Sequence, residues 1–228
     1  MQVHHIIGTV AVLGILLALP AQPALAACGD KARAGVDWSG CKKQNKILKG
    51  RDLSGAKFVG ADFSSSTLRD SQLDGVGLER AMLVKTTLAG ASLKGADLTK
   101  AQGPRANFEK ADLSEAKFAK SEFSRGRFTG ARLTKADMSK SDVSRAVFAE
   151  ADLSGVDLTY ANVARADFRG AKLADVNFTG AYVLLTRLED ADLSTAKGLT
   201  AEQLSVACGN AKTVLPEGLT APDTWPCE

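Results

Sequence analysis

Histidine is nearly absent from this chain. Of its 228 residues only two are histidines, and both, His4 and His5, lie close to the N-terminus. Because they fall in a segment that we predict to be removed, the mature chain would contain no histidine. This composition excludes a histidine general base, Ser-His-Asp and Cys-His nucleophilic sites, and histidine-containing zinc sites.

Cysteine is scarce as well, with four residues in the whole chain. Cys28, Cys41, Cys208 and Cys227 do not form the closely spaced pairs that are typical of structural metal sites. A glycine-rich phosphate-binding loop is also missing, since glycines such as Gly55 recur at one fixed position of a regular pattern. We therefore predict a protein that is not an enzyme, with no catalytic residue, no metal site and no cofactor.

A period of five residues runs through most of the chain. From Arg51 to Thr195 a large apolar residue recurs at every fifth position, and a small residue, mostly alanine, stands two positions before it. A period of five fits neither a helix nor the alternation of a strand, so these residues share one buried side only if the chain is coiled. The pattern predicts a solenoid whose units bury their apolar faces by stacking on their neighbours.

A longer period of twenty residues lies inside the shorter one. Every twentieth residue from Leu53 to Leu193 is a leucine, and every twentieth residue from Phe108 to Phe168 is a phenylalanine. Four units per coil would stack equivalent residues at the strand spacing of roughly 4.8 Å. We therefore predict about seven four-sided coils. The leucines are Leu53, Leu73, Leu93, Leu113, Leu133, Leu153, Leu173 and Leu193, and the phenylalanines are Phe108, Phe128, Phe148 and Phe168.

Units such as Ala96-Asp97-Leu98-Thr99-Lys100 and Ala151-Asp152-Leu153-Ser154-Gly155 resemble those of the pentapeptide-repeat family. The family pattern is Ala, then Asp or Asn, then Leu or Phe, then two variable residues, and the resemblance covers about two thirds of the chain. It implies an all-β fold, a right-handed quadrilateral parallel β-helix, with the Leu/Phe and Ala positions inward. It also implies that the repeated aspartates serve turns and the surface rather than calcium sites.

The two ends of such a β-helix need caps, because open strand edges recruit other chains. We expect an N-terminal cap over residues 27–45, the β-helix over residues 46–198 and a C-terminal cap over residues 199–228. In the C-terminal cap, Thr200-Ala201-Glu202-Gln203 has the pattern of a helix capping box. It predicts a short helix that extends to about Ala207 and is followed by an irregular strap.

The N-terminal segment has the pattern of a secretory signal. An apolar run from His5 to Leu19 is followed by Pro20 and by small residues up to Ala27. The run is short for a permanent membrane span, and the small residues suit cleavage after Ala26. We expect residues 1–26 to be a signal peptide and the mature protein to be exported, periplasmic or secreted, without a transmembrane span.

Two fates are open for Cys28. The segment Leu25-Ala26-Ala27-Cys28 also resembles a bacterial lipobox, which would anchor the protein to a membrane through a lipid on Cys28. An even number of cysteines in an oxidising compartment favours disulfides instead. Because the stacked coils would hold the two ends far apart, the pairing within reach is Cys28 with Cys41 and Cys208 with Cys227. We favour these two disulfides over the lipid anchor.

One unit departs from the pattern. Ala101-Gln102-Gly103-Pro104-Arg105 has glycine where a large apolar residue is expected, and proline beside it. Two explanations are open: a local cavity or bend in that coil, or a kink that serves as a docking notch.

Nine basic residues align at the stride of twenty and form a basic ridge. Stacked like charges repel unless something neutralises them, so the ridge is a candidate anion-binding site. The alternative is an ordinary solvated face that is partly neutralised by Glu122, Asp142 and Asp167. The ridge consists of Arg80, Lys100, Lys120 and Lys140 in one column and Lys85, Arg105, Arg125, Arg145 and Arg165 in the next.

An outward apolar group near the C-terminal end is formed by Tyr160, Tyr182, Leu184 and Leu185. Either the strap after Leu199 folds over this group, or the group contacts a partner such as the second copy of a homodimer.

These patterns predict a non-enzymatic, exported scaffold that acts as a binding or structural module in the bacterial cell envelope. Its partner would be an unknown protein or an anionic envelope component. Nucleic acid is not expected, because surface aromatics are not interleaved with the basic residues. One alternative, implied by the family resemblance, is a DNA mimic that binds topoisomerases, although a basic ridge has the wrong sign for it. Another is a protein that binds anionic lipid, lipopolysaccharide or polysaccharide.

Overall fold

The structure, a computed structural model, describes residues 27–226. The predicted signal peptide, residues 1–26, lies outside the described residues, as does Cys227. Parallel β-bridges join residues that are twenty positions apart, as from Asp52 to Gln72 and from Gln72 to Ser92. The bridges are isolated, so each side of the coil is short and the chain turns after every five residues. The chain is therefore a β-helix solenoid with twenty residues in each coil.

A tight turn ends each side of the coil. The backbone N–H of the small residue donates to the carbonyl of the large residue three positions earlier, as from Ala56 to Leu53 at 3.1 Å. The residue just before the small one is left-handed, with φ of 62° at Gly55 and 60° at Lys100. Glycine adopts this conformation at the least cost, which explains why many corners carry it.

The repeated aspartates hold these turns. Oδ1 of Asp52 accepts the backbone N–H of Ser54 at 3.1 Å, and Asp97 accepts that of Thr99 at 2.9 Å. The contact is an Asx turn, in which a short polar side chain binds the backbone two residues on. The N–H of Ser54 also lowers the pKa of Asp52. Within residues 27–226 no group of three or more acidic, cysteine or histidine side chains could hold a metal ion.

The core is a set of stacked columns. Every leucine of the predicted column is at most 1% exposed. The predicted phenylalanine stack is confirmed, since the successive ring centroids of Phe108, Phe128, Phe148 and Phe168 are 5.0, 4.8 and 4.9 Å apart and the rings are within 13° of parallel. Offset stacking of this kind adds to the stabilisation from burial alone.

Gly103 leaves the coil regular. The ring of Phe123, in the next coil, fills the space that a side chain on Gly103 would take, because a Cβ placed there would overlap the ring. The ladder also continues, with the N–H of Gly103 donating to the Glu122 carbonyl at 2.7 Å. The expectation of a cavity or a bend at this unit is therefore wrong, and the glycine makes room for the phenylalanine.

The coil pattern begins earlier than predicted. Asp37 already forms a parallel bridge to Lys57, and Trp38 is buried at the position of a large apolar residue. At the next such position Lys43 is 7% exposed, and its Nζ donates to the carbonyl oxygen of Cys28 at 2.7 Å and lies over the Trp38 ring. The predicted cap of residues 27–45 is therefore shorter, because a tryptophan and a lysine at inward positions concealed the register.

Helix α1, Ala201–Val206, lies at the C-terminal end of the solenoid. Thr200 caps it, since its hydroxyl accepts the N–H of Gln203 while the Gln203 side chain accepts the N–H of Thr200. Nε2 of Gln203 also donates to the carbonyl oxygens of Phe178 and Ala181 at 3.0 and 2.8 Å. The helix thus covers carbonyl groups at the open end of the ladder. No helix in the described residues is long and apolar enough to cross a membrane.

The chain after α1 first rejoins the ladder and then, over residues 215–226, forms no β-bridge. Cys208 and Val214 form parallel bridges to the preceding coil. Nε1 of Trp225 donates to the carbonyl oxygen of Ala207 at 2.8 Å, which fastens the last segment over the end of the solenoid. Pro216, Gly218 and Pro222 lie among residues 215–226, so the irregular strap that they predict starts after Val214.

Candidate binding face

The nine residues of the predicted basic ridge lie at the two edges of one side of the coil, which we call the basic face. All nine side chains are exposed. The column between the two edges is stacked by bridges from Met82 to Gln102, from Gln102 to Glu122 and from Glu122 to Asp142. Arg80, Lys100, Lys120 and Lys140 form the first edge, and Lys85, Arg105, Arg125, Arg145 and Arg165 form the second.

Every basic residue of this face occupies the left-handed corner position, with φ between 56° and 61°. For a residue with a Cβ this conformation costs about 1–2 kcal/mol. At the corner that carries Lys85 and the four arginines, every twentieth residue from Asn45 to Leu185 is a residue other than glycine. By contrast, the corner after the leucine column has glycine at positions 55, 75, 95 and 155. The chain therefore keeps long cations where glycine would be easier to accommodate.

None of these nine residues forms an ion pair with another side chain of residues 27–226. Some basic residues on other parts of the surface do, for example Lys94 with Asp112 at 3.4 Å and Lys172 with Asp152 at 3.7 Å. Within residues 27–226, no direct ion pair therefore neutralises the charge of the basic face.

The alternative of a solvated, partly neutralised face stays a prediction, although its three carboxylates form no ion pair with the ridge within residues 27–226. Asp167 pairs with Arg169 at 2.7 Å, not with the neighbouring ridge residue. Oδ1 of Asp142 accepts the backbone N–H of Ser144 at 2.9 Å and thus serves a turn. Glu122 forms no ion pair within the described residues. Proximity in sequence thus did not predict which carboxylates form ion pairs.

A surface groove of about 510 Å³ lies along the second edge of the basic face. The residues that precede the arginines, Pro104, Ser124, Ser144 and Ala164, are half-buried, whereas the arginines are exposed. Arginine presents a planar fork of N–H donors that fits carboxylate, sulfate and phosphate groups. The groove is lined by Pro104, Arg105, Ser124, Arg125, Asp142, Ser144 and Arg145.

The apolar group near the C-terminal end continues this same side of the coil. Tyr160, Tyr182 and Leu185 are 63%, 55% and 42% exposed, while Leu184 is half-buried. The expectation that the C-terminal segment covers them is wrong, because the two tyrosines and Leu185 are exposed beside residues 199–226 of that segment. A contact with a second copy or another partner stays a prediction.

The N-terminal end carries the Cys28–Cys41 disulfide, with a Cα–Cα distance of 5.5 Å. Cys208 is also disulfide-bonded. Its predicted partner, Cys227, lies outside the described residues. Because the Cys28 sulfur is bonded to Cys41, it is not available for a thioether-linked lipid in this structure.

Two family models match the chain. The pentapeptide repeat region model matches residues 104–178, and the model of pentapeptide repeats in eight copies matches residues 48–83, 71–102 and 81–118. Together the matches extend over more than half of the chain. The chain belongs to the pentapeptide-repeat family. The family resemblance noted from the individual units is thereby confirmed.

Solved structures of other pentapeptide repeat proteins are similar to this one. HetL from the cyanobacterium Nostoc sp. strain PCC 7120, which is involved in heterocyst differentiation regulation, is 25% identical, with a TM-score of 0.55 and coverage of 85% of this chain and 94% of HetL. A protein from the Arabidopsis thaliana thylakoid lumen is 30% identical over 38% of this chain and 64% of its own, with a TM-score of 0.33. QnrB1, a plasmid-mediated fluoroquinolone resistance protein, is 16% identical over 80% of this chain and 94% of its own, with a TM-score of 0.47. No curated protein sequence gave a match.

Proposed function

We propose that this pentapeptide-repeat protein is an exported, non-enzymatic scaffold of the bacterial cell envelope that binds an anionic envelope component through its basic face. The observation that carries the proposal is the alignment of nine exposed cations, none of them paired within residues 27–226. Stacked cations repel each other in the free protein, and a bound anion would relieve that repulsion. A DNA mimic would require acidic columns in their place.

Export is supported by the pattern of residues 1–26 and by the Cys28–Cys41 disulfide, since disulfides persist in oxidising compartments. The intact mass of protein purified from the periplasm under non-reducing conditions tests this part. We expect the mass of residues 27–228 with two disulfides. An added lipid mass would contradict it, as would recovery of the full-length chain from the cytoplasm.

Binding is tested by titrating the mature protein with anionic lipid vesicles, lipopolysaccharide and an acidic polysaccharide, each at low and at high salt. The comparison is an Arg105/Arg125/Arg145→Glu variant. Glutamate suits these corners, because Glu115 and Glu150 have the same left-handed backbone, with φ of 59° and 60°. We expect binding that weakens with salt and is lost in the variant. Absence of binding at low salt, or equal binding by the variant, would contradict the proposal.

A further inference from the structure

We infer that the ligand of the basic face is an acidic polysaccharide that lies along the solenoid axis between the two basic columns. The inference rests on the proposed binding function and specifies the class of ligand. A compact anion, such as a single phosphate group, is the competing ligand for the same charges.

The first argument is the spacing of the charges. Consecutive residues of a column lie in adjacent coils, as the bridges through Gln102 and Glu122 show. At the strand spacing of roughly 4.8 Å, the five cations from Lys85 to Arg165 span about 19 Å. A compact anion reaches only two or three neighbouring side chains and leaves the rest repelling one another. A chain with a charge on successive units contacts the whole column.

The second argument is the polar character of the groove and its surroundings. The side chains of Ser124, Ser144 and Gln102 offer hydroxyl and amide groups beside the arginines. Sugar hydroxyls both donate and accept hydrogen bonds, so they suit such neighbours, whereas acyl chains do not. At the C-terminal end of the face, exposed Tyr160 and Tyr182 provide flat rings against which a sugar can pack.

The third argument is the finite length of the basic columns. Before Arg80 the first edge has Gly60, and after Lys140 it has Tyr160. The second edge has Ser65 before Lys85 and Leu185 after Arg165. The charged region thus has two ends. Once a ligand spans it, additional sugar units meet no further cations.

Two carboxylates, Glu122 and Asp142, lie in the middle of the face and would oppose a polyanion placed there. Removing their charge should therefore strengthen binding. Asparagine at position 142 keeps the acceptor that holds Ser144, as Asn162 does by accepting the N–H of Ala164 at 3.1 Å. The Glu122→Gln/Asp142→Asn variant thus changes the charge and preserves the turn.

The experiment is a calorimetric titration of the mature protein at low salt with galacturonate and with oligogalacturonates of increasing length. We expect affinity to rise at least about tenfold from the monomer and to level off when the oligomer spans about 19 Å. Glu122→Gln/Asp142→Asn should raise the plateau affinity by about threefold or more. The control, Glu115→Gln/Glu150→Gln, removes the same charge at two other corners and should leave the affinity within about twofold.

Parallel titrations with inorganic polyphosphate and with anionic lipid vesicles separate the inference from the proposed function. Vesicle binding without oligosaccharide binding would overturn the inference and leave the proposed function standing. Equal or tighter binding of polyphosphate would overturn the assignment to a polysaccharide. Affinity that does not depend on oligomer length would overturn the axial arrangement. Failure of every anion to bind would overturn both.

Discussion

The side of the coil whose inward residues are the leucine column, here called the leucine side, is built from the same five-residue unit as the basic face. On the leucine side, lysines and aspartates pair between coils, as Lys94 does with Asp112, and glycine forms several of the corners after the column. On the basic face, cations occupy left-handed corners and pair with nothing in residues 27–226. Some charges of the leucine side are thus paired within the protein, whereas the nine cations of the basic face form no ion pair within residues 27–226, and we propose that a ligand binds them.

The largest effect should come from the core of the leucine side. Leu113 is fully buried, so a Leu113→Asp substitution would place an unpaired charge in a narrow apolar column. We expect the free energy of unfolding to fall by more than about 4 kcal/mol, measured by thermal unfolding followed by circular dichroism. Leu113→Met is the control and should cost less than about 1.5 kcal/mol. An aspartate variant that melts like the parent would contradict the inward register.

A smaller effect is expected from the core behind the basic face, where Gly103 makes room for Phe123. Gly103→Leu restores the consensus residue but overpacks the site, and should destabilise the protein by about 1–3 kcal/mol. Adding Phe123→Leu to the same chain should recover part of the loss. Stabilisation by Gly103→Leu alone would show that the phenylalanine does not fill that space.

Glycine at a corner of the basic face should raise the stability of the protein and lower its affinity for the ligand. Arg125→Gly removes both a left-handed Cβ and a charge that its neighbours repel, so the free energy of unfolding should rise by about 1 kcal/mol while ligand affinity falls. Lys135→Gly, at a corner after the leucine column with φ of 58°, should give the stability gain without the loss of affinity. A lower melting temperature for Arg125→Gly would contradict the assumed cost of these corners.

The smallest effect per residue should be the loss of stability when the aspartates of the Asx turns are protonated in acid. Backbone N–H groups of Ser54 and Ser194 lower the pKa of Asp52 and Asp192 on the leucine side. A carboxyl whose pKa is lower in the folded state stabilises it above the unfolded pKa, and this contribution is lost as pH falls through the folded value. The melting temperature should therefore decline below about pH 4.

The control for the acid series is Asp52→Asn/Asp192→Asn. Asparagine keeps the oxygen that accepts the serine N–H but does not titrate in this range, so the decline should become shallower. A pH profile of melting temperature identical to that of the parent would show that these two Asx turns contribute nothing to the acid sensitivity.

The periodic part of the fold could be predicted because the residue types within each five-residue unit indicate which side chains point inward. The inward leucines and the stacked phenylalanines follow from the five- and twenty-residue periods alone. The start of the solenoid could not be predicted from these periods, since Trp38 and Lys43 stand at inward positions where the pattern predicts leucine or phenylalanine. Lys43 is accommodated by a carbonyl and an aromatic ring that belong to other units, which a local pattern does not reveal.

The environment of Gly103 was missed for a related reason, since the side chain that fills its space comes from the next coil. The residues of the basic face could be predicted from the sequence, but their lack of ion pairs could not, because residue spacing does not determine where long surface side chains end. One feature of the sequence does distinguish this face: the corner that carries Lys85 and Arg165 has no glycine, although glycine is the residue that such a corner accommodates most easily.

The central claim is that the cations of the basic face serve a ligand and not the fold. The most direct measurement compares Arg125/Arg145→Glu with Lys110/Lys135→Glu, which makes the same charge change on the same left-handed backbone at other corners. Each is assayed for thermal unfolding and for binding of an acidic oligosaccharide at low salt. We expect similar melting temperatures and at least about tenfold weaker binding for the arginine variant alone. Equal binding by the two variants, or unfolding of the arginine variant alone, would contradict the claim.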